Sequence, residues 1–411
     1  MKKNFLSSYR FSIILLLALL AGAALGLVFK DRAALFKPFG DIFLNLLFTV
    51  VVPLVFFSIA SAVASMAGGR RLGNILLAML GTFVATGAVA SLLMIAAVRA
   101  FPPAQGMHIA LPQPEAMGNV NIGDALVKAF TVSDFSDLLS KKNMLALIIF
   151  AVLIGLGAAH AGERGREFAR FLSAANEVFS RVVGYILWYA PIGLGAYFAY
   201  LAGVFGPQLF GSYFRAMALY YPLAFGYFGL AFSFYAYLAA GREGLRRFWS
   251  NIIPTSLTAL ATGSSVAVIP LNLEAAENSG VPEDIREVVI PIGATIHMDG
   301  SCLSAVLKIA ILFGIFQMDF TGPGTLLAAL GVALLSGTVM SGIPSGGFLG
   351  EILIVTLYGF PPEALPIISL IGVLVDPPAT MVNAVGDNVC SMLVARILGG
   401  PRWLNTDENA S

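Results

Sequence analysis

Apolar residues occur along this chain in blocks too long for a soluble fold. The first six cover Phe11 to Phe29, Phe39 to Met66 (with Pro53 inside), about Ile75 to Val98, Asn143 to Ala159, about Leu172 to Ala202 (with a break near Pro191) and about Tyr213 to Ala240. Each is long enough to cross hydrocarbon as a helix, which takes about 17–25 residues. Short charged turns separate them: Gly69-Arg70-Arg71, Gly162-Glu163-Arg164-Gly165-Arg166, and Gly241-Arg242-Glu243-Gly244-Leu245-Arg246-Arg247. The polar stretch from Phe101 to Lys142, rich in Pro, Asn, Asp and Ser, reads as an external loop with short helical pieces.

After Ile252 the pattern changes. Thr255 to Leu273 is broken at Gly263-Ser264-Ser265, and Leu327 to Thr356 is broken at residues 341–347. Each broken piece is followed by a longer helix with polar residues at its middle, Glu287 to Phe316 and then Glu363 to Leu398. A broken segment followed by a polar helix, occurring twice, is the pattern of an internal repeat in a secondary transporter. Non-helical backbone survives at membrane depth only where it is buried or lines a cavity. The two Ser/Gly breaks are therefore expected to be the tips of re-entrant hairpins.

Composition agrees. The chain is 58% hydrophobic and only 11% charged, against about 25% charged in a soluble protein, and mean hydropathy is +0.86. This predicts an all-α, multi-pass membrane protein; run length and lack of alternation exclude a β-barrel. Net charge +1 leaves no basic patch for nucleic acid. Cys302 and Cys390, the two cysteines, both lie in apolar segments and do not suggest a disulfide framework. The basic N-terminus (Lys2, Lys3, Arg10) precedes an apolar run without a convincing small-residue cleavage site, so the run reads as a first span with a cytoplasmic start.

The most informative stretch is Asp376 to Asp387. Asp376, Thr380, Asn383 and Asp387 stand at i, i+4, i+7 and i+11, one narrow face of a helix. Carboxylates in lipid mark ion or substrate pathways. Asp376 needs a cationic partner: a substrate amino group, or structurally an ion pair with Lys308. Asn383 can donate to a carboxylate, and N–H groups at hairpin tips and half-helix N-termini favour anionic groups. An α-amino acid fits both parts. Asp299, beside Gly300 where the helix is expected to unwind, pairs with Asp387 in the matching helix as oxygen ligands for a small cation. Lys308 reads either as a lysine snorkelling from a helix end or as a fixed positive charge replacing an ion. His297 reads either as a group titrating near neutral pH or as a position where only the backbone matters. Glu351 and Arg396 are expected near hairpin or helix ends. His108 and His160 read as loop residues, and no zinc, P-loop, nucleophile-elbow or dinucleotide motif is present.

Several ordered motifs carry a family resemblance across nearly the whole chain: VVPLVFFSIAS at 51–61, NMLALIIFAVLIGLGAAHAGERGR at 143–166, WYAPIGLGA at 188–196, GSSVAVIP at 263–270, GATIHMDGS at 293–301, SGIPSGG at 341–347 and TMVNAVGD at 380–387. With these the chain resembles the dicarboxylate/amino acid:cation symporters, the family of glutamate and neutral amino acid transporters. The resemblance implies eight transmembrane helices, two re-entrant hairpins, inverted repeats, a homotrimer and an elevator motion in the cell (inner) membrane, with both termini cytoplasmic. Residues 1–70 and 106–205 would form the scaffold; 71–105 and 206–411 would form the moving part. By the family pattern Asp376 would hold the substrate amino group and Asn383 its α-carboxylate, with Ser264, Ser265, Ser301, Ile343, Gly347, Ala379 and Thr380 around the site. Sodium as a coupling ion would be served by Gly293, Asn383 and Asp387, by Asp299 with the residue at 297, and by carbonyls near Gly337 and Met340. No other cofactor is implied.

The departures bear on substrate. Acidic-substrate members carry an arginine where this chain has Ala379; its supporting Asp corresponds to Gly372, and a further arginine position to Gly263. A substrate side-chain carboxylate would lack its bidentate guanidinium partner. The family Asn at 297 is His297, the third-helix Tyr is absent with Met79 nearby, and a proton-carrying Glu position is Ala305. The expectation is a cation-coupled symporter of a neutral amino acid. The alternative is a member moving amino acid or dicarboxylate without ordinary sodium coupling, with His297 or Lys308 taking the ion's role. A channel or receptor fits less well, because the chain offers an occluded site between two hairpins. An enzyme is not expected, because no nucleophile–base pair is visible.

Overall fold

The computed structural model describes residues 10–64, 70–104, 131–140, 143–205, 208–339, 347–401 and 403–405. The regular structure described is helical: α1 Arg10–Phe29, α2 Lys37–Ala64, α3 Arg70–Ala100, α4 Met144–His160, α5 Gly162–Phe205, α6 Gln208–Gly226, α7 Phe232–Thr262, α8 Ser265–Asn278, α9 Glu283–Ile296, α10 Asp299–Ile315, α11 Pro323–Val339, α12 Gly347–Leu357 and α13 Ala364–Gly399. Short 3₁₀ segments and a one-turn helix at Phe135–Leu138 complete them. Among the described residues, five stretches are long and apolar enough to cross a membrane: residues 71–100, 162–203, 213–260, 283–315 and 364–399. Shorter apolar helices include Ala146–His160 and Pro323–Gly337. Large apolar side chains such as Leu77, Trp188, Phe214 and Leu230 face outward, as they do where lipid is the solvent.

Packing falls into two groups. Helices α1, α2, α4 and α5 pack mainly on one another, while α13 is surrounded by α3, α7, α8, α9 and α10. Small residues bring α1 against α5. A Cβ at Gly22 would overlap the Gly195 carbonyl oxygen, and one at Gly26 would overlap that of Ala199. Helices in lipid gain by such close approach, because there is no hydrophobic effect to drive them together.

Four details differ from the sequence reading. Helix α5 continues through Pro191 and also absorbs the charged turn at 162–166 as its first turn. The sixth apolar run is joined across Tyr227–Ala231, a π-type turn, to a helix that kinks at Ala240–Gly241 and then continues to Thr262. The first hairpin's arms are therefore longer than the broken apolar piece suggested. Gly263 ends α7 in the left-handed region (φ 60°), and Ser264 starts α8 by accepting from Ala267 N at 3.3 Å. The third difference lies in the first polar helix, which unwinds at His297–Met298 and not at Asp299–Gly300: His297 is extended (φ −100°, ψ 106°) and Asp299 opens α10. Gly300 has a different duty. A Cβ there would overlap the Ala379 carbonyl oxygen, so the glycine lets α10 meet α13.

The fourth difference concerns Glu351. It lies in the first half of α12, near a helix end as expected, and what differs is its burial: it is 2% exposed, inside the helix packing. Helix α13 carries Pro377 and Pro378 without a break. Pro378 cannot donate to Leu374 O, and Tyr221 OH takes that carbonyl at 2.8 Å. The tip expected for the second hairpin, with Met340 and Ile343, lies outside the described residues, as do His108 and most of the expected external loop.

Candidate functional site

The site grows from the N-terminus of α10 lying across the middle of α13. The first backbone N–H groups of a helix have no partner within it. Here Asn383, one helix away, supplies one: its Oδ1 accepts from Gly300 N at 2.8 Å and Ser301 N at 3.2 Å. Its Nδ2 donates to Ser301 Oγ at 3.1 Å. The amide is thus a cap for α10, and the two bonds occupy the lone pairs of its oxygen. Tyr220 OH donates to Gly300 O at 2.8 Å on the other side of the same turn.

Asp299, fully buried, sits at the positive end of α10, where the helix dipole favours a carboxylate. Its Oδ2 accepts from Tyr227 OH at 2.8 Å and its Oδ1 from Thr86 Oγ1 at 3.1 Å. Tyr227 comes from the π-type turn after α6, and Thr86 from α3. A tyrosine is therefore present at Asp299, supplied by a different helix from the one the family pattern implies; Met79 is buried elsewhere in the core.

His297 occupies the space between the two carboxylates expected to serve a cation. Its Nε2 is 3.1 Å from Asp299 Oδ1 and its Nδ1 is 3.0 Å from Asp387 Oδ1. Nε2 is also 3.0 Å from Thr86 Oγ1. The ring stacks on Phe83, with centroids 4.4 Å apart and 25° between planes. A doubly protonated imidazole donates to both aspartates, whereas a neutral one donates to one of them. The side chain at 297 thus does more than expose backbone. Cys390 Sγ lies 3.6 Å from Nε2. Gly293 is close behind Asp387, since a Cβ there would overlap Asp387 Oδ1. A Cβ at Gly337 would lie 3.1 Å from Cys302 Sγ and 3.5 Å from Met298 Cβ, which seats α11 on the unwound turn. Among the described residues no group of three His, Cys, Asp or Glu side chains has an arrangement to hold a metal ion.

Asp376 stands apart from this network. It is half-buried on α13, and its carboxylate has no hydrogen-bond or ion-pair partner among the described residues. Thr380 and Ala379 are buried beside it, 5% and 6% exposed. Ser265 is buried at the start of α8, and Gly347 opens α12. Ser264 is committed to capping α8.

Lys308 pairs with Glu351 and not with Asp376. Nζ donates to Glu351 Oε1 at 2.8 Å, and Ser369 Oγ donates to Glu351 Oε2 at 2.6 Å. At 1% exposure the lysine does not snorkel. Sequence reasoning missed Glu351, Ser369, Thr86 and Tyr227 as parts of the site. One signal was available for the first: Lys308 and Glu351 each interrupt an apolar helix, and lone charges of opposite sign in such helices find each other.

This geometry offers an unpartnered carboxylate on α13, the helix that also carries Asp387 of the bridged pair. The family model of the sodium:dicarboxylate symporters matches residues 11–397. The chain belongs to the sodium:dicarboxylate symporter family. This is a family of transporters, not of enzymes. The chain is 26% identical over 391 residues to the proton/sodium-glutamate symport protein of Bacillus subtilis (strain 168), covering 92% of this chain and 90% of that one. It is 25% identical over 389 residues to the C4-dicarboxylate transport protein of the same organism, covering 92% and 91%. It is 26% identical over 399 residues to C4-dicarboxylate transport protein 3 of Ralstonia nicotianae, covering 93% and 88%. Family membership and the apolar helices make this member of the sodium:dicarboxylate symporter family a multi-pass membrane transport protein.

Proposed function

We propose that the protein is a cation-coupled secondary transporter of a small neutral amino acid. The observation that carries this is Asp376, a carboxylate without a side-chain partner among the described residues, facing a neighbourhood whose lysine is already neutralised by Glu351. A zwitterion brings an ammonium for Asp376 and an α-carboxylate for backbone donors. A second carboxylate would find no free buried cation among the described residues. On this reading eight spanning helices and two re-entrant hairpins form the unit, residues 71–105 and 206–411 move against 1–70 and 106–205, and three copies assemble in the inner membrane with cytoplasmic termini. The named relatives carry glutamate or C4-dicarboxylates, so a neutral substrate is a divergence of this chain, and its support is Ala379.

A second reading concerns the coupling ion. His297 bridges the two aspartates that the family pattern assigns to sodium. This supports coupling to a proton, or transport without an ion, in place of ordinary sodium coupling. Counterflow in proteoliposomes tests both. Labelled neutral amino acids should exchange and aspartate should not; tight sodium-dependent aspartate uptake would sink the substrate assignment. Uptake should persist when sodium is replaced by choline; loss of uptake in choline would restore the sodium reading.

A further inference from the structure

The polar face of α13 extends one turn before Asp376, to Gly372, and the Lys308–Glu351 pair stands over that residue. A Cβ at Gly372 would overlap Glu351 Oε1 and lie 3.2 Å from Lys308 Nζ. The pair therefore rests on the backbone of the helix that carries Asp376, one turn away. Side chains so spaced on one face are separated by about 5–6 Å. Lys308 is the one buried Lys or Arg among the described residues. A desolvated ammonium binds any carboxylate it can reach. An acidic amino acid with its amine on Asp376 would carry its second carboxylate about as far as this lysine.

That position on Lys308 is already taken by Glu351, which Ser369 orients from behind. We propose that Glu351 is a tethered carboxylate filling, on Lys308, the place of a substrate's second carboxylate, so that this pair excludes acidic substrates. The inference rests on the neutral-substrate reading and assigns it to specific residues. Charge counting agrees: Asp376, Glu351 and Lys308 together leave one net negative charge. A zwitterion leaves that balance unchanged, whereas an acidic amino acid worsens it. Neutralising Glu351 leaves the Lys308 ammonium without its hydrogen-bonded carboxylate.

The test uses full-length protein in proteoliposomes, reading the ratio of L-aspartate uptake to uptake of the best substrate from a panel of neutral amino acids. In Glu351→Gln this ratio should rise about tenfold or more, the size of one charge-assisted hydrogen bond. It should stay at the wild-type value in Glu351→Asp and fall back in the Lys308→Gln/Glu351→Gln double variant. An unchanged ratio in Glu351→Gln, or a raised ratio that survives in the double variant, would overturn the proposal while leaving the neutral-substrate reading intact. Should Glu351→Gln fail to reconstitute, Ser369→Ala loosens the same carboxylate; the ratio should rise there too, and an unmoved ratio counts against the proposal. Wild-type preference for aspartate would overturn the neutral-substrate reading itself, before any variant is made.

Discussion

The first polar helix is broken, with α9 ending at Ile296, His297 extended and α10 starting at Asp299; the second, α13, runs unbroken from Ala364 to Gly399. The break changes what each acid can find. Asp299 stands at a helix N-terminus, with the dipole behind it and two hydroxyls in front. Asp387 sits mid-helix, where every nearby N–H is spent on the ladder, and it depends on the ring of His297. Asp376, also mid-helix, has no such partner among the described residues. The contrast shows how a fold satisfies one carboxylate and leaves another without a partner.

The comparison breaks most sharply at the charged pair. Lys308→Met should cost about 3–5 kcal/mol of stability, because it leaves Glu351 buried and alone. The Lys308→Met/Glu351→Leu double variant should recover most of this, read as the apparent melting temperature in detergent; an undisturbed single variant would mean the pair is solvated. Next comes the free acid. Asp376→Asn should weaken amino acid binding by roughly 30- to 150-fold, about 2–3 kcal/mol for a charged hydrogen bond. Titration calorimetry checks this, and retained affinity would count against an amine at Asp376.

A smaller effect is expected at Asp299, which has several partners. Tyr227→Phe should cost about 1–2 kcal/mol in the same melting assay, since one donor is lost from a carboxylate that keeps others. The subtlest test exchanges the bridge. His297→Asn removes the ring from between Asp299 and Asp387 and leaves room for an ion. Sodium chloride, compared with choline chloride, should then raise the melting temperature of the variant more than that of the wild type. Equal responses would show that the ring does not stand in for a cation.

Much of the helix plan was legible because a spanning helix announces itself by a run of apolar residues, whatever it packs against. The interruption at 263–265 was visible for the complementary reason, since Gly and Ser cannot continue such a run at low cost; the one expected at 341–347 lies almost wholly outside the described residues. The stripe on α13 was legible from period alone. The roles within it were not. Asn383 reads from the sequence as a donor through its amide NH2, and the fold adds a second duty, its oxygen capping α10, 82 or 83 residues away in sequence. Gly300 looked like a hinge, yet it is a contact point for Ala379. Lys308 reads from the sequence as a snorkelling lysine or as a fixed charge pairing with some carboxylate, and the fold gives it Glu351, 43 residues away.

What the sequence determined by itself is therefore whatever depends on local period and on the cost of polar groups in hydrocarbon: the helices, their interruptions, the acids that must have a purpose and the family. Only the tertiary structure decided the partners. A carboxylate's charge is written in the chain, but whether it meets a ring, a lysine or an open space depends on which helix crosses it. His297 shows this most directly. As a residue it was one of three histidines, and only the fold holds its ring between Asp299 and Asp387.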